Sequence, residues 1–298
     1  MQPRNVLRAG AALALAFLLT AAPPAAAKVK VVASLTDLGS IASAVGGDEV
    51  EVSAVARPAS DAHRVEVLPS YMVRVSRAQL YLKVGLGLDQ WADQIIDGSR
   101  NGKLVVVDCA RHIEPLEKPT GRVDASLGDV HPDGNPHYWL DPGNGAIVAV
   151  DVAEALAALD PAHADDFRRR ATAFAARCAA SRTAAAAAIA ALPVKEIITY
   201  HASWVYFTRA TGLAVAGTVE PVPGIPPTAR HLQELVDLIH ARRVPVVLQE
   251  PCFSDEAPAF LARETGVRVV KMSASCDDVA PGSYLAHFEA AVGRIVGR

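Results

Sequence analysis

The stretch "GNGAIVAVDVAEALAALDPAHADDFRRRATAFAARCAASRTAAAAAIAAL" (143–192) decides the fold. It consists almost entirely of residues that favour helices, and its break is at Asp160-Pro161. Proline ends a helix because it lacks the backbone donor and clashes with the preceding turn. The stretch therefore predicts two helices, the second over roughly 162–191.

Short β-branched runs alternate with helical patterns on both sides of these helices. Four runs precede them, at 29–34, 50–55, 79–84 and 103–108, and four follow, at 195–200, 213–219, 244–249 and 267–272. Helical patterns lie between the runs, as at 38–45, 228–242, 255–265 and 282–297. Such alternation predicts parallel sheets covered by helices on both faces.

The predicted fold is therefore α/β with two lobes, each a parallel sheet flanked by helices. The N-terminal lobe is expected over 28–160 and the C-terminal lobe over 193–298. The long rigid α-helix in 161–192 is expected to connect them.

Composition limits the possible functions. The chain has 298 residues, of which 51% are hydrophobic, enough for two lobes with cores. Charged residues make up 20% and the net charge is -3. Binding to nucleic acid is therefore not expected, because it requires a basic surface.

The first residues predict a secretory signal peptide over 1–27. Arg4 and Arg8 precede an apolar run, and small residues precede a cleavage site expected between Ala27 and Lys28. The alternative is a membrane anchor, but the apolar run is shorter than the roughly 20 residues that a spanning helix needs. The first cysteine is Cys109, so none stands at the cleavage site to carry a lipid. We expect an exported, freely soluble monomer in the periplasm.

The four cysteines are too few and too scattered for a disulfide framework. Cys178 lies in a helical pattern and is expected to be a buried apolar residue. Cys252 and Cys276 both follow strands that should be neighbours, and exported proteins meet oxidants. A local disulfide between these two residues is therefore predicted.

Side chains able to bind metal follow the predicted strands. His63 and His137 lie in the loops after the second and fourth strands, while His201 and Glu250 directly follow the runs at 195–200 and 244–249. Because ligands bind beyond the carboxyl ends of parallel strands, we expect these side chains to meet in one cleft between the lobes. Glu250 has an alternative role as a cap of the helix expected near Ser254.

The remaining histidines are expected at the surface or in ordinary hydrogen bonds. They are His112, His163, His231, His240 and His287. His131 is expected on the surface of its loop, where it could collect metal transiently. Near His137, prolines at 132, 136 and 142 fix the backbone, and Trp139 and Asp141 are expected to shield and orient the ring.

Three imidazoles and a carboxylate predict a zinc site. Zn²⁺ is expected in preference to Mn²⁺, because manganese, calcium and magnesium favour oxygen ligands.

The sequence resembles a known family, the zinc and manganese solute-binding proteins of ABC importers, or ZnuA/TroA-like receptors. The resemblance covers essentially the whole mature chain. It rests on "DAHRVEVLPS", "NPHYWLDP" before a long helix, "TYHASWVYFTRATGL" and "QEPCF". It implies that His63, His137 and His201 take the positions of the family's metal-binding histidines.

The sequence departs from the family in two places. The family commonly has an aspartate ligand after the last strand, where this chain has Ser273. Glu250 is therefore the preferred fourth ligand, with Asp277, Asp278 or a water as alternatives. The loop before His137 also lacks the long His-rich and acid-rich insertion of many zinc receptors.

The resemblance implies a receptor and not an enzyme. It would capture the ion between its lobes and deliver it to an ABC-type membrane permease, after direct binding or loading by a periplasmic metallochaperone. The alternative is a zinc-dependent hydrolase with Glu250 as general base. The sequence contains no His-Glu-x-x-His helix to support it.

Overall fold

The computed structural model describes residues 27–121 and 128–297. The predicted signal peptide, apart from Ala27, lies outside the described residues. The predicted α/β class and the two parallel sheets are confirmed, and each strand lies within its predicted run.

The N-terminal sheet has the strand order β2-β1-β3-β4, with all neighbours parallel. Its strands are β1 (Val29–Ala33), β2 (Val50–Ala54), β3 (Leu80–Lys83) and β4 (Val105–Asp108). Its helices are α1 (Thr36–Gly46), α2 (Pro69–Val75), α3 (Trp91–Ser99) and α4 (Pro142–Leu159).

The C-terminal sheet repeats this scheme in the order β6-β5-β7-β8. Helix α5 (Ala164–Ala190) precedes it. Its strands are β5 (Glu196–Thr199), β6 (Ala214–Thr218), β7 (Val246–Gln249) and β8 (Arg268–Lys271). Its helices are α6 (Val205–Thr211), α7 (Ala229–Arg242), α8 (Glu256–Thr265) and α9 (Ser283–Val296).

Helices α4 and α5 form the predicted pair on either side of Pro161. Asp141 caps α4 by accepting a hydrogen bond from the Gly143 N–H at 2.7 Å. By length and composition α4 could cross a membrane, but 56% of its residues are buried inside the protein, where an apolar helix is expected. Helix α5 has 27 residues and a length of about 40 Å, and it joins the lobes.

The hydrophobic core is continuous between the lobes. One buried cluster contains β1 and β3 residues together with Ile197 of β5, Leu248 of β7 and Phe288 of α9. A smaller cluster lies within the C-terminal lobe around Val247 and Leu261. Shared packing of this kind favours small movements between the lobes, because close-packed interiors resist deformation.

The predicted disulfide between Cys252 and Cys276 is wrong. Both residues are free thiols, and Cys252 is exposed whereas Cys276 is buried. Strands β7 and β8 are neighbours as expected, but the chain beyond β8 turns toward the other lobe. There the Thr36 hydroxyl of α1 donates to the Cys276 carbonyl at 2.6 Å.

Candidate metal centre

The four candidate side chains lie where the carboxyl edges of the two sheets face each other. His201 and Glu250 follow β5 and β7, which are neighbours in the C-terminal sheet. The strand order of that sheet reverses direction between these two strands. Such a switch point leaves a crevice beyond the strand ends. His63 and His137 reach the same place from the loops after β2 and β4.

The structure brings His63, His137 and His201 into one cluster. One nitrogen from each ring lies within 4.8 Å of the others. The ring centroids are 5.1 Å apart for His63 and His137, 5.4 Å for His63 and His201, and 5.6 Å for His137 and His201. His137 and His201 are each only 4% exposed, so most of the cluster is shielded from water.

The two histidines of the N-terminal lobe are held by the same local arrangement. Asp61 Oδ1 accepts from the backbone N–H of His63 at 2.9 Å and contacts its ring Nδ1 at 2.8 Å. Asn135 Oδ1 accepts from the His137 N–H at 3.1 Å and contacts Nδ1 at 2.9 Å. In both cases the partner stands two residues earlier, so a short side chain fixes both backbone and ring.

His201 is held by a residue distant in sequence. Its Nδ1 lies 2.7 Å from Glu220 Oε2, and Glu220 follows β6, the strand beside β5. The same Glu220 oxygen accepts from the Gly224 N–H at 3.0 Å. Burial lowers the pKa of His201, but its hydrogen bond to the Glu220 carboxylate and the charge of Glu250 outweigh burial and raise the pKa overall.

Each ring therefore uses Nδ1 for a protein partner and leaves Nε2 for a ligand. His63 Nε2 is buried and without a hydrogen-bond partner. Nitrogens bound to tetrahedral zinc at 2.0–2.1 Å lie about 3.3 Å apart, so closure on an ion needs movements of no more than about 1.5 Å. Burial, and then the charge of His63, lowers the pKa of His137 well below its usual value, which keeps that ring neutral.

Glu250 presents a free carboxylate oxygen beside the cluster. Its Oε1 accepts from the Ser203 hydroxyl at 2.8 Å and from Trp204 Nε1 at 2.9 Å, while Oε2 is buried without a partner. Burial raises the pKa of Glu250 to about 7, and the charge of His201 opposes that shift. Glu250 is outside the 4.8 Å histidine group but lines the same cavity. It does not cap α8, which begins at Glu256.

Asn135 also links the two lobes next to the histidines. Its side-chain NH₂ donates to the Ala202 carbonyl at 2.7 Å, immediately after His201. Trp139 makes a second link, with Nε1 donating to the Ala274 carbonyl at 2.8 Å. The relative position of the N-terminal and C-terminal histidines is thus fixed by direct hydrogen bonds across the cleft.

The expectations for the neighbours of His137 are met for one residue and wrong for the other. Trp139 lies against the imidazole, with ring centroids 5.2 Å apart, and shields it. Asp141 instead caps α4 and lies 3.0 Å from Arg182 Nε and 3.4 Å from Arg209. Asn135 takes the orienting role that was expected of Asp141.

The alternative acidic ligands lie away from the histidines. Asp277 and Asp278 are exposed, and the Asp278 carboxylate accepts from the Ala280 N–H at 2.8 Å and from the Ser283 hydroxyl in the turn before α9. Ser273 lines the cavity at the site, but its hydroxyl donates to the Pro58 carbonyl.

Two cavities border the histidine cluster. The first, here called the Glu250 cavity, has a volume of about 30 Å³. Its lining includes the three histidines with Asp61, Glu250 and Cys252. The second, here called the His131 cavity, has about 310 Å³. Its lining includes His137 and His201 with Glu117, Asp129, His131 and Pro221.

The expectation that His131 lies on the loop surface is wrong. Its ring centroid is 5.3 Å from that of His63, and its Nε2 is buried without a partner. The loop returns toward the cleft because the Asp129 N–H donates to the Pro223 carbonyl of the C-terminal lobe at 2.9 Å. Burial and the charge of His63 lower the pKa of His131 to about 4.

Three residues that position the histidines were not singled out from the sequence. Asp61 and Asn135 have a local signal, an acidic or amide residue two positions before each histidine in "DAH" and "NPH". Glu220 has no such signal, since the order of strands in the sheet is needed to bring it to His201.

Comparisons with known proteins identify the family. The family model described as "ZnuA: Zinc-uptake complex component A periplasmic" matches residues 31–297. The "Iron-binding protein YfeA" of Yersinia pestis is 27% identical over 82% of this chain and 76% of its own length. ZnuA of Haemophilus ducreyi, a "High-affinity zinc uptake system protein", is 26% identical over 82% of this chain and 84% of its own.

A crystal structure of a ZnuA superposes with a TM-score of 0.79 at 26% identity, covering 91% of this chain and 98% of that one. The agreement of the family model, the relatives and the fold extends over both lobes and the helix between them. The chain therefore belongs to the ZnuA family of metal-binding solute-binding proteins of ABC importers.

Proposed function

We propose that this protein binds Zn²⁺ through His63, His137 and His201 in the periplasm and delivers it to an ABC-type importer. The observation that carries the proposal is the shared orientation of the three rings. Each Nδ1 is engaged by an acceptor, and one nitrogen from each ring lies within 4.8 Å of the others. An acceptor on Nδ1 fixes the tautomer and orientation of a ligating histidine.

The ligand set favours zinc over manganese. Three imidazoles suit zinc, whereas manganese prefers carboxylate, carbonyl and water oxygens. The names of the relatives include both zinc and iron, so the choice of metal rests on this chemistry. The carboxylates of Glu220 and Glu250 supply negative charge that offsets a divalent cation.

We propose Glu250 as the fourth ligand. Its buried Oε2 lacks a partner, and a carboxylate in that state is costly unless a cation or a proton neutralises it. The Glu250 cavity of about 30 Å³ has room for water, the alternative ligand on that side.

A receptor also fits the space around Glu250 better than a hydrolase does. A hydrolase with Glu250 as general base would need its substrate next to the water that Glu250 activates. The volume of about 30 Å³ there is too small for a substrate. The relatives named above are proteins of metal uptake or metal binding.

The periplasmic location is proposed from the predicted signal peptide and from the family description. The permease of an ABC importer is the proposed partner, in keeping with the same family. Loading by a metallochaperone stays a prediction, as does the monomeric state.

The test is metal analysis of protein purified without chelator, followed by competition titrations with Zn²⁺, Mn²⁺ and Fe²⁺. We expect one zinc per chain and at least about 100-fold weaker binding of manganese, a difference of about 2.7 kcal/mol. Equal affinities for zinc and manganese would contradict the proposed selectivity.

Glu250→Gln tests the fourth ligand, with Glu256→Gln as a control on exposed α8. We expect zinc affinity to fall by about tenfold or more in the first variant and to stay unchanged in the second. Unchanged affinity in Glu250→Gln would assign the fourth position to water.

A further inference from the structure

The histidine cluster can be reached from two sides that differ in size and chemistry. The Glu250 cavity has about 30 Å³, and the His131 cavity about 310 Å³. On the same measure the His131 cavity is therefore about ten times as large, and a divalent ion that still carries its shell of about six water molecules has more room there.

The lining of the His131 cavity suits a cation that still carries water. Glu117 and Asp129 supply carboxylates, which bind cations directly or through water. Asp129 lies 3.6 Å from the Arg64 guanidinium, which is 70% exposed, so the pair is open to solvent and its mutual attraction is weak. The Glu117 carboxylate accepts from the Asn135 NH₂ at 2.9 Å, beside the residue that orients His137.

His131 lines this cavity beside the cluster. Its ring lines the cavity together with His137 and His201, and it lies 5.3 Å from His63, which does not line the cavity. Its Nε2 is buried and unpartnered. His131 thus presents a free Nε2, as the three clustered rings do, but it is outside the 4.8 Å group.

We propose that the His131 cavity is the route by which the hydrated ion reaches the three histidines, and that His131 binds it in passing. The inference rests on the proposed function, since it needs the ion to bind at the cluster. Replacing waters one at a time by Asp129, His131 and then the cluster avoids removing the whole hydration shell in one step. A residue that contacts the ion only on the way lowers the barrier equally in both directions, so it changes the rates and leaves the equilibrium constant unaltered.

The experiment measures zinc association by stopped-flow tryptophan fluorescence, since Trp139 lies against His137. Dissociation is measured by adding excess EDTA to the zinc-loaded protein. We expect His131→Ala to slow both rates by about tenfold while the Kd stays within about threefold of the parent. His240→Ala, on the exposed face of α7, is the matched control and should leave both rates unchanged.

A second pair of variants tests the route independently of His131. Pro221→Trp narrows the His131 cavity, and Cys252→Trp narrows the Glu250 cavity, at positions that are both exposed. We expect Pro221→Trp to slow both rates more than Cys252→Trp does. The reverse pattern would overturn the route.

Two further results would also overturn the inference. Unchanged rates in His131→Ala would remove its role, and a weaker Kd caused by faster dissociation would make it an ordinary ligand of the bound ion. A parent protein that binds no zinc would instead refute the proposed function, and the route with it.

Discussion

The two lobes position their histidines in different ways. In the N-terminal lobe, His63 and His137 stand on loops, and each is held by a residue two positions earlier. In the C-terminal lobe, His201 directly follows the end of β5 and depends on Glu220 from beyond a neighbouring strand. One lobe uses local sequence to fix its ligands, and the other uses its sheet.

The difference explains how loops can supply precise ligands. A loop residue is usually more mobile than a strand end, and a mobile ligand costs entropy when it binds. The shared acceptor for the backbone N–H and the ring Nδ1 removes much of that freedom before the ion arrives. Asn135 then joins this local unit to the C-terminal lobe through Ala202.

The largest expected effect comes from removing one histidine in each lobe. We expect His137→Ala and His201→Ala each to weaken zinc binding by more than about 100-fold, because loss of a direct ligand exceeds the 10–100-fold cost of losing an outer partner. Chelator competition measures the Kd, and His240→Ala is the control. Near-parental affinity in either variant would mean that one lobe binds the ion alone.

The C-terminal lobe should make zinc binding depend on pH. The pKa of His201 is raised and that of Glu250 is about 7, whereas His137 is already neutral. As the pH falls through 7, His201 and Glu250 take up protons that zinc must displace, so affinity falls by about tenfold to 100-fold per pH unit. Zinc titrations from pH 8 to 5 measure the slope of log affinity against pH, which counts the protons that zinc displaces. Glu250→Gln should lower that count by about one.

An unaltered slope in Glu250→Gln would show that Glu250 does not lose a proton when zinc binds. A flat profile in the parent would contradict the proposed competition at His201 as well.

The outer partners should have intermediate effects. We expect Asn135→Ala and Glu220→Ala to weaken zinc binding by about 10–100-fold, with Asn135→Ala nearer the upper figure. Asn135 both orients His137 and links the lobes at Ala202, whereas Glu220 contacts His201 and Gly224 within its own lobe. Calorimetric titration measures both variants. A larger loss in Glu220→Ala would assign the lobe link a minor role.

The smallest effect is expected when the acceptor that holds His63 is replaced by the kind of acceptor that holds His137. Asp61→Asn gives His63 the same kind of partner that Asn135 gives His137, with the accepting oxygen retained. We expect less than about a threefold change in Kd, about 0.7 kcal/mol. The Asp61→Ala variant is the comparison, and equal losses in both would show that the charge of Asp61 matters more than its geometry.

The sequence predicts the fold well because strand and helix patterns are local. The eight strands of the described residues lie within the predicted runs, and the connecting helix differs from its prediction by a few residues. Helices α2 and α6 are short, at seven residues each, and were not specified from the sequence. Short helices contain too few turns for a clear apolar period.

The candidate site is predictable only where a strand end or a local motif marks it. His201 and Glu250 follow directly from the strand-end rule, and Asp61 and Asn135 have a readable local pattern. Residues that are placed by tertiary contacts cannot be predicted in this way. The burial of Cys276 against α1 and the position of His131 beside His63 depend on tertiary contacts that the sequence does not specify.

The most direct test of the shared histidine site is a crystal structure of the zinc-loaded protein, with the ion located by anomalous scattering. We expect one zinc ion bound by Nε2 of His63, His137 and His201 at about 2.0–2.1 Å, with Glu250 as the fourth ligand. The Nδ1 contacts to Asp61, Asn135 and Glu220 should persist. An ion bound by only one lobe, or through Nδ1 of any of the three rings, would contradict capture between the lobes.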